Sequence, residues 1–346
     1  GKQFEIDCSK AKSDDKCVYK GKHYRITMLS ERLVRLEYSP SGVFVDVPSQ
    51  FAVNRYFMFP EYQTKQDSKF LEITTKYFHL TYVKEAPFLG TKVDPMKNLK
   101  ITLLMGEREN DRDWYYGHPE VRNLGGNMIS EDVNTPKALK RGLYSLEGFA
   151  SIDDSNSLLF NPDGTLYERE KGSLDIYVFM YKDDFALALK DYFKLTGNPE
   201  LIPRYALGNW WSRNTTYNEE SVKELVTDFE RRNVPLAVFL LDKDWHYRNV
   251  GKAKDLHTGF TFNKELFPNP SEVSKFLHGH NIRLGLFIDP SEGIYPHETY
   301  YLQACYYLGI NNNKIIKFDP LNPKLLDVYF KLFLHPLEAL GVDFFW

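Results

Sequence analysis

Leu236-Ala237-Val238-Phe239-Leu240-Leu241 is a nearly unbroken apolar run that stops abruptly at Asp242-Lys243-Asp244-Trp245-His246. A strand apolar on both sides is expected where helices cover both faces of a parallel sheet. The flanking pattern agrees. Upstream, residues 219–232 place Val222, Leu225, Val226 and Phe229 at i, i+3, i+4 and i+7, the spacing of one helical face, with Asn218 as the N-cap. Before that helix, residues 206–211 read as a buried strand. Downstream the cycle repeats, with a helix over 271–278 introduced by Pro270 and a strand over 283–288. A helix over 297–308, a short strand over 314–318 and a longer helix opened by Asn322-Pro323 follow; the last passes Pro336 to reach a strand over 341–346.

Strand and helix in alternation predict a parallel sheet. No Gly-x-Gly-x-x-Gly follows any of these strands and no Gly-x-x-x-x-Gly-Lys-Ser/Thr occurs, so a nucleotide-binding doubly wound sheet loses its main support. A (β/α)8 barrel is favoured. With about four principal strands against the eight of a closed barrel, residues 203–346 are expected to form its first half, truncated. The run Gly341-Val342-Asp343-Phe344-Phe345-Trp346 points the same way, since a bare aromatic strand normally has something to pair with or cover it.

Residues 1–196 read differently. Short alternating runs at 24–29, 33–38, 71–75 and 174–179 are punctuated by Pro40-Ser41-Gly42, Asn161-Pro162-Asp163-Gly164 and Lys171-Gly172-Ser173. They predict an N-terminal antiparallel β-sandwich. A helix over 183–195 leads to Gly197-Asn198-Pro199, the expected boundary. The fold class is thus multidomain, β followed by α/β.

Composition excludes several classes. Hydrophobic residues at 42% and charged residues at 26% are globular values. A net charge of −3 without a basic block argues against a nucleic-acid partner. No apolar stretch approaches the roughly 20 residues of a membrane span, and the N-terminus has no signal-peptide core. Three cysteines, Cys8, Cys17 and Cys305, make a disulfide framework improbable. A cytoplasmic location is expected, with secretion after leader removal as the alternative. Aromatics reach 15%, which fits either a large β core or sugar-stacking surfaces.

Polar and aromatic residues gather after the strands, where a barrel places its active site. They are Trp211-Ser212-Arg213-Asn214, Asp242-Lys243-Asp244-Trp245-His246, Asp289-Pro290-Ser291-Glu292-Gly293 and Trp346. Carboxylates that accept from hydroxyls, beside aromatic platforms, suit a polar ring-shaped ligand. Asp242, Asp244 and His246 would share one face of an extended chain and could instead ligate a metal, although no recognised metal spacing is present. Asn214-Thr215-Thr216 matches the glycosylation triplet but falls within this site.

More of the sequence joins the pattern: Trp210-Trp211-Ser212-Arg213, Pro235 ahead of the Asp242 strand, Thr258-Gly259-Phe260-Thr261-Phe262-Asn263 with Phe267-Pro268-Asn269-Pro270, then Asp289-Pro290-Ser291-Glu292-Gly293-Ile294 and the closing 341–346 run. The first half adds Gly42-Val43-Phe44 with Pro48-Ser49-Gln50, Asn123-Leu124-Gly125-Gly126, and Gly142-Leu143-Tyr144-Ser145 leading to Asp153-Asp154-Ser155. In this order they resemble glycoside hydrolase family 31, mainly retaining α-glycosidases with some transglycosylases and lyases.

The resemblance implies an α-glucosidase-like hydrolase acting by double displacement on terminal α-linked sugars of oligosaccharides. An α-transglycosylase and a non-catalytic carbohydrate-binding relative are the alternatives. It implies that Asp242 binds hydroxyls of the sugar in the −1 subsite, that Asp289 occupies the next strand-end position, and that Trp346 is the aromatic preceding a Trp-x-Asp nucleophile. That Asp is expected two residues after Trp346, so no catalytic residue is assigned in this chain and the chain alone is expected to be inactive. Trp211, Asn214, Asp244, Trp245 and His246 complete the expected substrate-binding set, with Asp132 as the candidate carboxylate from a sandwich loop. No cofactor and no metal are called for. The expected partners are a glycoside or oligosaccharide substrate and the remainder of the same polypeptide, with neither nucleic acid nor membrane. Two positions depart from the family pattern: Lys243, where an apolar residue is usual, and Ser145-Leu146-Glu147-Gly148 in place of Ser-Arg-Asp-Gly. Lys243 brings a cation to the pocket unless its side chain points away into solvent.

Overall fold

The computed structural model describes residues 5–89, 98–106, 109–126, 139–251 and 253–346. These fall into two units, divided between Pro199 and Glu200. In the first unit, β1 (Val18–Lys20), β2 (Tyr24–Ser30) and β3 (Leu33–Tyr38) are followed by β4 (Gln63–Gln66), β5 (Phe70–Thr74), β6 (Phe78–Val83), β7 (Leu99–Leu103) and β8 (Arg112–Tyr115). Then come β9 (Ala150–Asp153), the small hairpin β10 (Leu159–Phe160) and β11 (Leu166–Tyr167), β12 (Leu174–Phe179) and helix α1 (Phe185–Thr196). One sheet runs β1-β2-β3-β12-β9 and the other β4-β5-β6-β7-β8, both antiparallel.

Alternation along the strands makes the sandwich. Ile26, Met28, Val34, Leu36, Ile176 and Val178 from the first sheet share one core with Leu71, Ile73, Leu80, Ile101 and Trp114 from the second. The opposite face of the first sheet is also buried. At one end Leu29, Leu33, Phe179 and Tyr181 pack with α1 through Ala188 and Leu195. At the other end the same face carries buried charge: Arg25 on Glu37, Arg35 on Asp175 and Glu37, and Arg169 on Asp154 and Asp175.

The second unit is a parallel sheet in the order β13 (Trp210–Ser212), β14 (Val238–Leu241), β15 (Arg283–Leu286), β16 (Phe344–Phe345). Sequential order with no reversal is the order of a barrel wall rather than of a doubly wound sheet. Helices α2 (Glu219–Arg231), α3 (Pro270–Gly279), α4 (Tyr301–Leu308) and α5 (Pro323–Tyr329) intervene. Val222 and Val226 of α2 and Val273 and Leu277 of α3 bury against Phe239, Leu241, Leu284 and Leu286. Each fully buried Val contributes about 1.5–3 kcal/mol. Asn218 caps α2 in a reciprocal box with Ser221. Asn218→Ala is expected to cost about 1 kcal/mol, visible as faster amide exchange over the first turn of α2.

Three expectations are corrected. Residues 206–211 are not one buried strand: Arg204–Leu207 is a 3-10 turn with Leu207 74% exposed, and pairing starts only at Trp210. Gly208 closes that turn against Ala237, which a side chain there would overlap. Residues 314–318 form no strand; Ile316 makes a single bridge to Ile294 in a loop and never reaches the sheet. The helix expected over 297–308 begins at Tyr301, because Glu298 is spent on loop contacts described below. The helix after Asn322 also changes character before Pro336. The proline has no N–H for the carbonyl four residues back, and the preceding turn widens into a π-turn, Phe330–Leu334, before α6 (His335–Glu338). No helix among the described residues is long and apolar enough to cross a membrane.

Candidate active site

Strand alternation sorts the site residues. Phe239, Leu241, Leu284, Leu286, Trp211 and Phe345 belong to or pack on the cores beneath the helices. Their neighbours in sequence therefore face the other way, into the concave side of the sheet: Trp210, Leu240, Asp242, Gly285, Phe287, Phe344 and Trp346. Contacts bear this out, with Trp210 packed edge-on against Trp346 at 5.4 Å and against Phe344 at 5.1 Å. Gly285 makes room for the Phe344 ring, which a side chain there would overlap.

Asp242 thus leaves the C-terminal end of β14 on the concave face. It borders an open cavity of about 420 Å3 together with Asn214, Lys243, His246, Arg248, Asp255, Leu256, His257 and Phe287. Asp242 makes no hydrogen bond or ion pair with a described residue, so both carboxylate oxygens are free for a ligand. Arg248, by contrast, is committed. It pairs with Asp244 at 3.6 Å and with Asp255, and donates from Nε to the Leu256 carbonyl at 3.0 Å.

Asp244 is held as well as charged. It accepts from the Thr216 hydroxyl and sits at φ +61°, a left-handed conformation that ends the strand's alternation. His246 is 4% exposed, and burial pulls its pKa below the ordinary 6.5, so the ring is neutral at pH 7. Its Nδ1 lies 3.2 Å from the Tyr247 carbonyl, which fixes the proton there in the neutral ring. The 257–262 loop presses on it and is itself pinned by two carboxylates. Glu292 accepts from the amides of His257 and Thr258 at 2.8 and 3.0 Å, and Glu298 from the Phe260 amide at 3.1 Å and the Thr261 hydroxyl at 2.6 Å. A side chain at Gly259 would overlap the His246 ring. Gly259→Ala is therefore expected to destabilise this unit by about 1–2 kcal/mol, read from a lowered denaturation midpoint.

The remaining residues separate. Asp289 lies three residues past the end of β15, with Oδ1 accepting from the Ser291 amide at 2.8 Å; it does not border the Asp242 cavity. Trp346 is 56% exposed and extends the β15–β16 pairing, its N–H donating to the Leu286 carbonyl at 2.9 Å. Trp211 turns to the helix side, where its Nε1 donates to Tyr217 at 2.8 Å and its ring meets Phe229. Trp245 is wholly buried, with Nε1 on the Phe287 carbonyl at 2.9 Å, and offers no face to a sugar. Asp132 lies outside the described residues. Asp242, Asp244 and His246 do not converge, and among the described residues no three His, Cys, Asp or Glu side chains are placed to hold a metal. The cavity residues Arg248, Asp255, His257 and Phe287 were not singled out from sequence, and the concave-face Trp210 was read as part of a motif but not as a site residue. Counting by twos back from Asp242 and across to β13 would have found Trp210.

Residues 199–346 match the family model of the glycosyl hydrolases family 31 TIM-barrel domain. An α-xylosidase of Saccharolobus solfataricus is 27% identical over 182 residues, which is 51% of this chain and 23% of that protein. Alpha-glucosidase 2 of Bacillus thermoamyloliquefaciens is 31% identical over 159 residues, 45% of this chain and 18% of that one. Among solved structures, a family 31 dextranase of Flavobacterium johnsoniae complexed with glucose superposes on 95% of this chain and 45% of its own, with a TM-score of 0.62 at 16% identity. The chain spans about a fifth of the length of these curated relatives, 23% and 18%. A concave parallel sheet in barrel order, preceded by an antiparallel sandwich, is the fold these comparisons share, and residues 199–346 match the glycosyl hydrolases family 31 TIM-barrel domain.

Proposed function

We propose that this chain contributes the sugar-holding side of the pocket of a retaining α-glycosidase that removes terminal α-linked sugars from oligosaccharides. The observation that carries the reading is Asp242, a carboxylate with no described partner at the C-terminal end of a barrel strand, bordering an open cavity. An ionised acceptor in that position binds two sugar hydroxyls through charge-assisted hydrogen bonds and holds the ring in one orientation. Asn214 adds a neutral donor and acceptor to the same cavity, and Phe287 an apolar wall. Trp210 and Trp346, in mutual contact on the concave face, serve as the aromatic surface. Asp289 contributes a second carboxylate one strand along.

Bond cleavage in this reading belongs to a pair of carboxyl groups about 5 Å apart, one a nucleophile and one an acid/base, acting through a covalent glycosyl-enzyme. No residue among 1–346 is assigned to either role. Names of the relatives favour glucose- and xylose-type sugars. The test uses the protein with its barrel complete, incubated with aryl α-glucoside and aryl α-xyloside, the product anomer being read by NMR. An α-anomer as first product supports the reading; a β-anomer or no turnover of either overturns it. A high concentration of acceptor sugar separates hydrolysis from transfer, because a transglycosylase then yields a longer saccharide.

A further inference from the structure

Lys243 is the charged group of the Asp242 cavity that this reading leaves without a task. Its side chain does not point away into bulk solvent; it is half-buried on the cavity wall and makes no hydrogen bond or ion pair with a described residue. The other charges nearby are accounted for. Arg248 is held by Asp244 and Asp255 and is not available to a ligand. His246 is buried and its pKa is lowered, so it supplies no cation at neutral pH. Asp242 and Lys243 are therefore two groups of opposite charge, each without a described hydrogen-bond or ion-pair partner, on one cavity of about 420 Å3. Consecutive residues of an extended chain point to opposite sides, yet both reach the cavity because the chain leaves the strand here and turns left-handed at Asp244.

A neutral sugar needs the carboxylate but has no use for the ammonium. A half-buried ammonium has lost part of its hydration, and an anionic ligand group restores that loss through a charge-assisted hydrogen bond. We propose that the pocket takes an α-glycoside whose sugar carries an anionic substituent, a carboxylate or a sulfate ester, which Lys243 binds while Asp242 holds the ring hydroxyls. The inference rests on the α-glycoside reading of the site and deepens its substrate class. It also sets orientation: the anion must lie on the Lys243 side, since Asp242 repels it.

Calorimetric titration of the protein with methyl α-glucoside, methyl α-glucuronide and methyl α-glucoside 6-sulfate tests the assignment. At low salt at least one acidic ligand should bind about 10-fold tighter than the neutral one, and the gap should shrink in 0.5 M NaCl as the pair is screened. Lys243→Met should reduce the gap to within about 2-fold. Equal or tighter binding of the neutral glycoside by the unaltered protein overturns the inference, as does a gap that survives Lys243→Met. Asp242→Ala keeps this result apart from the reading beneath it. If that variant binds all three ligands as well as the unaltered protein, the α-glycoside site is wrongly placed, whatever Lys243 does; if it loses all three while Lys243→Met leaves their ratio unchanged, only the anionic preference fails.

Discussion

Asp242→Ala should weaken binding of an α-glycoside by roughly 100-fold, about 3 kcal/mol, because hydrogen bonds to a charged group contribute about 1.5–3 kcal/mol each and the carboxylate is placed to accept two. The fold should be unaffected. Asp242 has no described partner to orphan, and its side chain borders a cavity instead of filling the core. The measurement is the dissociation constant for methyl α-glucoside or methyl α-xyloside, with the denaturation midpoint as control. Asp242→Asn should fall between the two, retaining shape and one acceptor while losing the charge. An Asp242→Ala protein that binds both sugars normally would remove the central residue of the proposed site.

The second large effect lies in the sandwich. Asp175→Ala is expected to destabilise the N-terminal unit by about 3–5 kcal/mol, the cost of stripping one partner from a buried ion pair. Asp175 receives two parallel bonds from Arg35, at 2.8 and 2.7 Å, and a third from Arg169 at 2.9 Å. Arg35 is 2% exposed and cannot recover its hydration when the carboxylate goes. Burial by itself would raise the Asp175 pKa, but the Arg35 charge and hydrogen bonds, with Arg55 and Arg169, outweigh it and hold the group well below the usual carboxylate range. The sign follows. A depressed folded-state pKa contributes stability that is present above the ordinary value of 3.8 and is lost as pH falls below it. Denaturant midpoints measured from pH 6 down to pH 3 should therefore drop in the unaltered protein, and the Asp175→Ala variant should lose this part of the slope. A variant within 0.5 kcal/mol of the unaltered protein would show that Arg35 does not depend on Asp175.

Much of the architecture was legible in the chain because burial imposes a period. Residues 24–29, 33–38, 71–75 and 174–179 alternate, and all lie within sandwich strands or one residue beyond them. Val222, Leu225, Val226 and Phe229 repeat at helical spacing, and α2 buries them. Helix starts were equally readable, from the Asn218 cap and from Pro270 at the first position of α3, since both answer to local backbone geometry alone. The residues that failed were those whose conformation depends on a distant neighbour. Nothing local in 206–211 announces that Gly208 must clear Ala237, and nothing in 314–318 says that its one partner is a loop.

The site divides in the same way. Sequence alone determined that acidic and aromatic residues follow successive parallel strands, and their order carries the resemblance to the family whose barrel domain residues 199–346 match. Only the tertiary structure decided which of them face the cavity. Alternation leaves the phase of a strand undetermined until the helices choose a side, so Trp211 and Trp210 are equivalent in the sequence while one packs beneath α2 and the other meets Trp346. Past the strand end even the period lapses. The left-handed turn at Asp244 carries Trp245 into the core and leaves Asp242 and Lys243 on one wall, because backbone hydrogen bonds to the neighbouring strands no longer dictate where the side chains point.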